Sequence, residues 1–461
     1  MKKTKVGFLP LYLKLYDDRN PSLRPGIEEY CDAVASALEE NGVELVKADV
    51  CRIAPEFDAA VKQFEMAEVD AIITVHLAYS PSLECIDALA ATALPILILD
   101  TTRDFSFGFD VIEGAMLYNH GIHGVQDMCN LLRRRGKDYS LFVGHYTESD
   151  VLRRVCDAAR AVKAAKAIRG MRVGQIGSSF SGMGDFLASD SAMARLGVEV
   201  LTCDGEELSA LRKAVTKEEI RAEYELDCKE NGASAVSFED YAFSESVGLA
   251  IRKWIKNNGL GAFSMTFLSA GQIGGFDTMP FSESSKAMAR GIGYAGEGDA
   301  LTAALVGALS QTFDKVNFTE MFCPDWKGGA IYMSHMGESN LSLLENKKTV
   351  IKPFPYSDSP NPTCICGHMA PGKACIFNLL PNEEDWFDVI ICEGEMLKLP
   401  ERIETLPNAM NGWFKPNMPL EAFLEKYSEL GGTHHSALVY GVDGKSLALF
   451  AKTLGMKYTV I

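Results

Sequence analysis

The sequence predicts an α/β protein with two Rossmann-like domains, each built on a parallel sheet, followed by a β-rich C-terminal domain. Three observations predict it. Short apolar runs alternate with helical patterns through the first third of the chain. The same alternation restarts near Met171. After about residue 311 the pattern changes to short strands separated by turn residues. Alternating strand and helix is the signature of a parallel sheet covered on both faces, because each parallel crossover needs a helix to return the chain. The expected domains are therefore 1–170, 171–310 and 311–461.

In the first domain the strand-like runs are Lys5–Leu9, Val43–Val46, Ala71–Val75, Pro95–Leu99 and Tyr139–Val143. Helical patterns such as Gly26–Glu40 and Leu83–Ala91 lie between them. A long helix, Asp150–Ile168, leads into strand Met171–Ile176 of the second domain. Gly177–Gly184 then reads as a strand–helix turn whose glycines do not match dinucleotide or P-loop spacing. Met183 in that turn is the expected substrate-facing residue. An Asn231-Gly232 turn, helix Phe238–Asn257 and strand Ala262–Phe267 continue the pattern. In the third domain the expected strands are Gly329–Met333, Thr349–Pro353, Asp388–Cys392 and Ser436–Val439, closed by helix Gly444–Leu454.

Bulk composition excludes several classes of function. The chain has 461 residues, 47% of them hydrophobic and 23% charged, enough for more than one core. A net charge of −17 argues against nucleic acid as a partner, since phosphate binding takes clustered Lys and Arg. The one basic cluster, Arg133, Arg134, Arg135 and Lys137, falls at a helix end where cations suit the dipole. Twelve scattered cysteines do not form a disulfide framework and point to a reducing compartment. No apolar run approaches the roughly 20 residues of a membrane span, and the N-terminal run is too short for a signal peptide. The expected location is cytoplasmic.

Chemistry-bearing residues lie in four segments. Gly293-Tyr294-Ala295-Gly296-Glu297-Gly298-Asp299 sets two acids among glycines, which admit a ligand close to the backbone. Asp299 reads equally as the N-cap of helix Ala300–Leu309. Phe318-Thr319-Glu320-Met321-Phe322 places an acid among apolar residues, where it needs a partner. His335 stands in Tyr332–Glu338, and His434 and His435 follow Gly431-Gly432-Thr433. Two carboxylates with two imidazoles form a mixed oxygen and nitrogen donor set that suits Mn²⁺ or a similar divalent ion with open positions. A rival zinc site, Cys364-Ile365-Cys366-Gly367-His368, lacks a fourth ligand at standard spacing.

Taken together, Gly293–Asp299 followed by Thr302-Ala303-Ala304-Leu305, with Glu320, His335 and Gly432–His435, resembles the L-arabinose isomerase and L-fucose isomerase superfamily. The resemblance implies a barrel-like C-terminal domain. It also implies that Glu297, Glu320, His335 and His435 are the metal ligands, with His434 the substitute if the register is off by one. Tyr118–Gly124 is similar to a family segment whose histidine reaches the active site of an adjacent subunit. His123 matches that histidine, and His120 lies near a polar substrate contact. The implied assembly is a trimer or hexamer with active sites at subunit interfaces. The implied reaction is an Mn²⁺-dependent aldose–ketose interconversion through a cis-enediol, with Glu297 and Glu320 handling the protons. Segment Phe8–Tyr12 and the short Glu320-to-His335 spacing depart from the arabinose branch. They leave the sugar open among a pentose, a 6-deoxyhexose and a C6-modified hexose such as sulfoquinovose. Two other readings stand beside this one: a non-catalytic cytoplasmic sugar-binding protein, and a zinc enzyme using Cys364, Cys366 and His368.

Overall fold

The structure is a computed structural model describing residues 3–231, 236–345, 349–354, 360, 362–400 and 410–461. Gly232 of the expected Asn231-Gly232 turn lies outside them. The chain forms two compact units, 1–163 with 445–453, and 164–444 with 454–461.

The first unit holds β1 (Thr4–Leu11), β2 (Val43–Lys47), β3 (Ala71–His76), β4 (Ile96–Asp100) and β5 (Tyr139–Val143). They form one parallel sheet in the order β2-β1-β3-β4-β5. Every residue of β3 and β4 is buried, as strands covered on both faces require. Helices Ala54–Met66, Ser82–Ala91 and Ile122–Arg134 supply much of that cover, with Phe57, Phe64, Leu89, Met128 and Leu132 in the core. All five strands expected here are present.

The second unit begins with a four-stranded parallel sheet. Its strands are β6 (Arg172–Ile176), β7 (Glu199–Thr202), β8 (Ala262–Met265) and β9 (Gly293–Gly296), in the order β7-β6-β8-β9. The glycine-rich stretch at 293–296 is thus a buried strand. Its small residues let helix Ala300–Ser310 lie close, since a Cβ on Gly293 would stand 2.3 Å from the Ala303 carbonyl oxygen. Every residue of that helix from Leu301 to Ser310 is buried.

The helix delivers the chain to a β-barrel. Its strands are β10 (Val316–Asp325) and β11 (Ala330–Ser334), then β14 (Gly372–Pro381), β15 (Phe387–Met396), β16 (Gly412–Pro416) and β17 (His435–Tyr440). Between them, β12 (Val350–Pro353) and β13 (Thr363–Cys366) form a separate antiparallel ribbon. The six barrel strands pair antiparallel in the order β14-β17-β10-β11-β16-β15, and pairing of β14 with β15 closes the ring. A last strand, β18 (Lys457–Val460), adds parallel to β15. Closure removes the open edges that a sheet of this kind would expose. Met333, Ile376, Leu380, Phe414, Phe423 and Leu438 belong to the associated core.

A buried ionic network ties helices of the second unit together. Lys286 lies on helix Phe281–Ala289 and donates to Glu223 (2.9 Å), Asp227 (3.0 Å) and Glu245 (2.9 Å). Arg252 bridges Glu223 and Glu283. Burial and the neighbouring acids push Glu245 up to about 7, despite the opposing pull of Lys286.

Candidate metal centre and active site

The site is assembled where the carboxyl end of β9 meets the barrel. Glu297 follows β9 directly, at the position where open parallel sheets bind ligands. Its φ is +60°, unusual for a residue with a side chain. Loop Gly177–Leu187 holds it there: the Phe180 N–H donates to the Glu297 carbonyl at 2.8 Å. Gly298 (φ +78°) passes so close to this loop that a Cβ would stand 2.5 Å from Ser179 Cα.

Barrel register brings the next three residues together. On β10, Glu320 is paired with Ser334 on one side and with His435 on the other. His335 follows Ser334, so both imidazoles flank the same carboxylate strand. Glu320, His335 and His435 each present an atom within 4.8 Å of the other two, and so do Glu297, His434 and His435. His435 is shared by both triads. Among the described residues the four expected ligands do not form one set within that distance. Glu297 joins them through His435, with its Oε2 at 3.5 Å from His435 Nε2.

Each imidazole is anchored through Nδ1 by a carboxylate. His335 Nδ1 lies 2.7 Å from Glu338 Oε1, His435 Nδ1 2.9 Å from Asp299 Oδ2, and His434 Nδ1 2.7 Å from Asp185 Oδ2. A carboxylate only accepts, so Nδ1 carries a proton and Nε2 is turned to the site. This carboxylate–imidazole arrangement is the outer shell expected of metal-bound histidines. Asp299 combines the helix-cap role expected from the sequence with a second one. Its Oδ1 accepts from the Thr302 N–H at 2.8 Å as a helix cap, while Oδ2 holds His435.

The electrostatics invite a cation. Among the described residues no Lys or Arg forms an ion pair with Asp185, Glu297, Asp299, Glu320 or Glu338. Burial would raise the Glu297 carboxyl, yet His434 and His435 hold it far below the usual carboxylate range. Burial lowers His435, but Asp299 and Glu297 carry it up to about 9. His434 is raised chiefly by Glu297. The Nε2 atoms of His434 and His435 are shielded from solvent and have no hydrogen-bond partner. Their contacts with Glu297, 3.8 and 3.5 Å, are long for hydrogen bonds. Orphaned buried nitrogens facing uncompensated carboxylates fit a divalent ion with mixed oxygen and nitrogen ligands. Phe318 (4.7 Å from His335, 5.0 Å from His435) and Phe186 (5.0 Å from His435, 13° off parallel) wall the imidazoles.

Gly296 permits this packing. A Cβ there would stand 2.4 Å from His335 Cε1. Gly296→Ala is therefore expected to displace the ring and destabilise the fold by about 1–3 kcal/mol. Urea unfolding measures the stability, and calorimetric Mn²⁺ titration should show weakened binding. Unchanged binding would mean that His335 is not held by this contact.

His120 and His123 belong to the first unit, at the start of helix Ile122–Arg134. There His123 stacks on Tyr79 (4.6 Å, 16°) and His120 Nε2 meets the Tyr16 hydroxyl at 2.8 Å. Met183 is half-buried in the loop that holds Glu297, its N–H donating to the Phe180 carbonyl. Cys364, Cys366 and His368 form no metal cluster among the described residues. The two Sγ atoms lie 3.4 Å apart, while His368 Nδ1 pairs with Asn411 at 2.8 Å. A third acidic group, Glu223, Glu245 and Glu283, already holds Lys286 and Arg252.

Sequence reasoning missed Glu338 and Asp185. Glu338 carried a local signal, an acid three residues after His335. Asp185 carried none, being 249 residues from its partner.

The family model for the L-arabinose isomerase central domain matches residues 181–313, and that for the L-arabinose isomerase C-terminal domain matches 315–457. The chain is similar to the L-arabinose isomerase of Nocardioides sp., at 26% identity covering 83% of this chain and 78% of the relative. It is similar to L-arabinose isomerase 1 of Bacillus licheniformis at 25% identity, covering 94% and 90%. The L-arabinose isomerase of Cellvibrio japonicus is 24% identical, with 96% and 91% covered.

Proposed function

This chain belongs to the L-arabinose isomerase family and is a sugar isomerase, and from that premise we propose that it interconverts an aldose and a ketose with the help of Mn²⁺. The observation that carries the reading is the pair of triads sharing His435, with every imidazole anchored by a carboxylate and aimed by Nε2. Glu297, Glu320, His335 and His435 are the residues that would hold the ion. When bound, a divalent ion polarises a carbonyl and lowers the pKa of a neighbouring hydroxyl.

The chain's own residues do the rest. Glu297, kept ionised by His434 and His435, is available to accept a proton from the substrate carbon. Glu320, paired with His435 across the barrel strands, manages the hydroxyl proton as the sugar passes through a cis-enediol. Phe186 and Phe318 restrict water around the imidazoles. The substrate is a pentose, a 6-deoxyhexose or a C6-modified hexose, with His120, His123 and Met183 as its further contacts. The reading takes 1–170, 171–310 and 311–461 as domains, and a cytoplasmic trimer or hexamer with active sites at subunit interfaces. Among the described residues no helix is long and apolar enough to cross a membrane.

Dialysis against a chelator is the direct test. Ketose formation from free aldoses is expected to disappear and to return best with Mn²⁺. Full activity in verified metal-free protein would remove the ion from the reaction. Because Asp299 and Glu297 outweigh burial and raise His435 to about 9, ion binding below that pH is expected to displace a proton. Mn²⁺ affinity is therefore expected to fall as pH drops, by roughly tenfold per unit for one displaced proton.

A further inference from the structure

We propose that Asp185 and His434 work as a pair that orients the Glu297 carboxylate, Asp185 fixing the imidazole and His434 presenting Nε2 to Glu297. The inference rests on the isomerase reading and extends it to two residues outside the expected ligand set.

The geometry is a chain of three groups. Asp185 Oδ2 accepts from His434 twice, from the backbone N–H at 2.9 Å and from Nδ1 at 2.7 Å. This double contact sets both the backbone and the ring plane of His434. Nδ1 is thereby committed to Asp185, and the ring's opposite edge faces Glu297, with Nε2 at 3.8 Å from Oε2. Nε2 is shielded from solvent and otherwise unpartnered. Asp185 and Glu297 are both acceptors, so in this pair both ring nitrogens of His434 carry protons, and a small rotation of the Glu297 carboxylate lets it accept the Nε2–H. The logic is that of a carboxylate orienting an imidazole that in turn orients a reacting group.

The same loop grips the site at three points. Phe180 holds the Glu297 carbonyl, Asp185 holds His434, and Phe186 stacks on His435. Glu297 sits at positive φ between two glycines, so its side chain gains little restraint from its own backbone neighbours. His434 supplies restraint from the barrel side. Asp185, His435 and Glu297 are the titratable groups facing His434. Asp185 and His434 are positioning residues in this scheme, and Glu297 is the group that meets the substrate.

The test compares Asp185→Ala, Asp185→Asn and His434→Phe with the wild type. Steady-state isomerisation is measured alongside calorimetric titration with Mn²⁺ and with a sugar alcohol. Asp185→Ala and His434→Phe are expected to lower kcat about 10- to 100-fold, with KM and Mn²⁺ affinity changed by no more than about threefold. Asp185→Asn still offers an oxygen acceptor and is expected to recover most of the kcat lost in Asp185→Ala. Unchanged kcat in Asp185→Ala overturns the pair while leaving the isomerase reading intact. Loss of Mn²⁺ binding in His434→Phe also overturns it, since His434 would then be a ligand. A wild type that neither isomerises aldoses nor binds the sugar alcohol with Mn²⁺ present overturns the isomerase reading and this pair together.

Discussion

Glu297→Gln and Glu320→Gln are each expected to lower kcat/KM for aldose-to-ketose conversion by about 10²- to 10⁴-fold. The amide keeps the shape of the side chain and an oxygen for a cation, but it cannot accept the transferred proton. The two variants should differ in a second measurement. Glu297 faces His434 and His435 at 3.8 and 3.5 Å, so its loss also removes the chief influence that raises His434 and, beside Asp299, one that raises His435. Histidine titration followed by NMR in metal-free protein should therefore show His434 and His435 shifting down in Glu297→Gln. Near-normal turnover in both variants would end the assignment of these two carboxylates.

Lys286→Met is expected to cost about 3–5 kcal/mol of stability, the largest effect foreseen outside the site. Lys286 is the cation shared by Glu223, Asp227 and Glu245; removing it takes the ammonium from buried Asp227 and leaves Glu245 only the 3.8 Å approach of Arg252, while Glu223 keeps Arg252. The pH dependence has a definite sign. The Glu245 carboxyl has a folded pKa near 7, above the ordinary 4.5, so the folded state binds its proton more tightly. That contribution to stability is present below about 4.5 and is lost as pH rises towards 7. In Lys286→Met the loss should steepen, and Glu245→Gln on the same background should restore part of the stability. Urea melts at several pH values measure both. A variant as stable as the wild type at pH 8 would show that Lys286 is not holding these acids together.

In the parallel sheets the strands buried on both faces, β3 and β4 above all, read as continuous apolar runs, whereas the exposed edge strand β7 and the glycine-rich β9 carry no such run. The barrel was less legible. Of its strands, β11, β15 and β17 were anticipated in part, while β10, β14 and β16 were not picked out. Strand β10 mixes Phe318 with Asn317, Thr319 and Glu320, polar residues that face neighbours inside the unit. No local pattern reveals a ring closed by pairing β14 with β15. Strand β9 carries no apolar run of its own, because its burial comes from the helix packed on it.

The chemistry divides along the same line. Residue types and local order by themselves offered candidate donors, two glutamates, a lone histidine and a histidine pair beside Cys364, Cys366 and His368, and the family resemblance chose among them. Local order also determined that Asp299 could cap a helix. The tertiary structure alone decided that Glu320 lies opposite His435, that Asp299 turns its second oxygen to that ring, and that His434 belongs to Asp185. Composition and periodicity act over a few residues, whereas strand register and loop placement join groups separated by 100 residues or more. The orientation of an imidazole is set by what its far nitrogen meets, and that partner is a property of the fold.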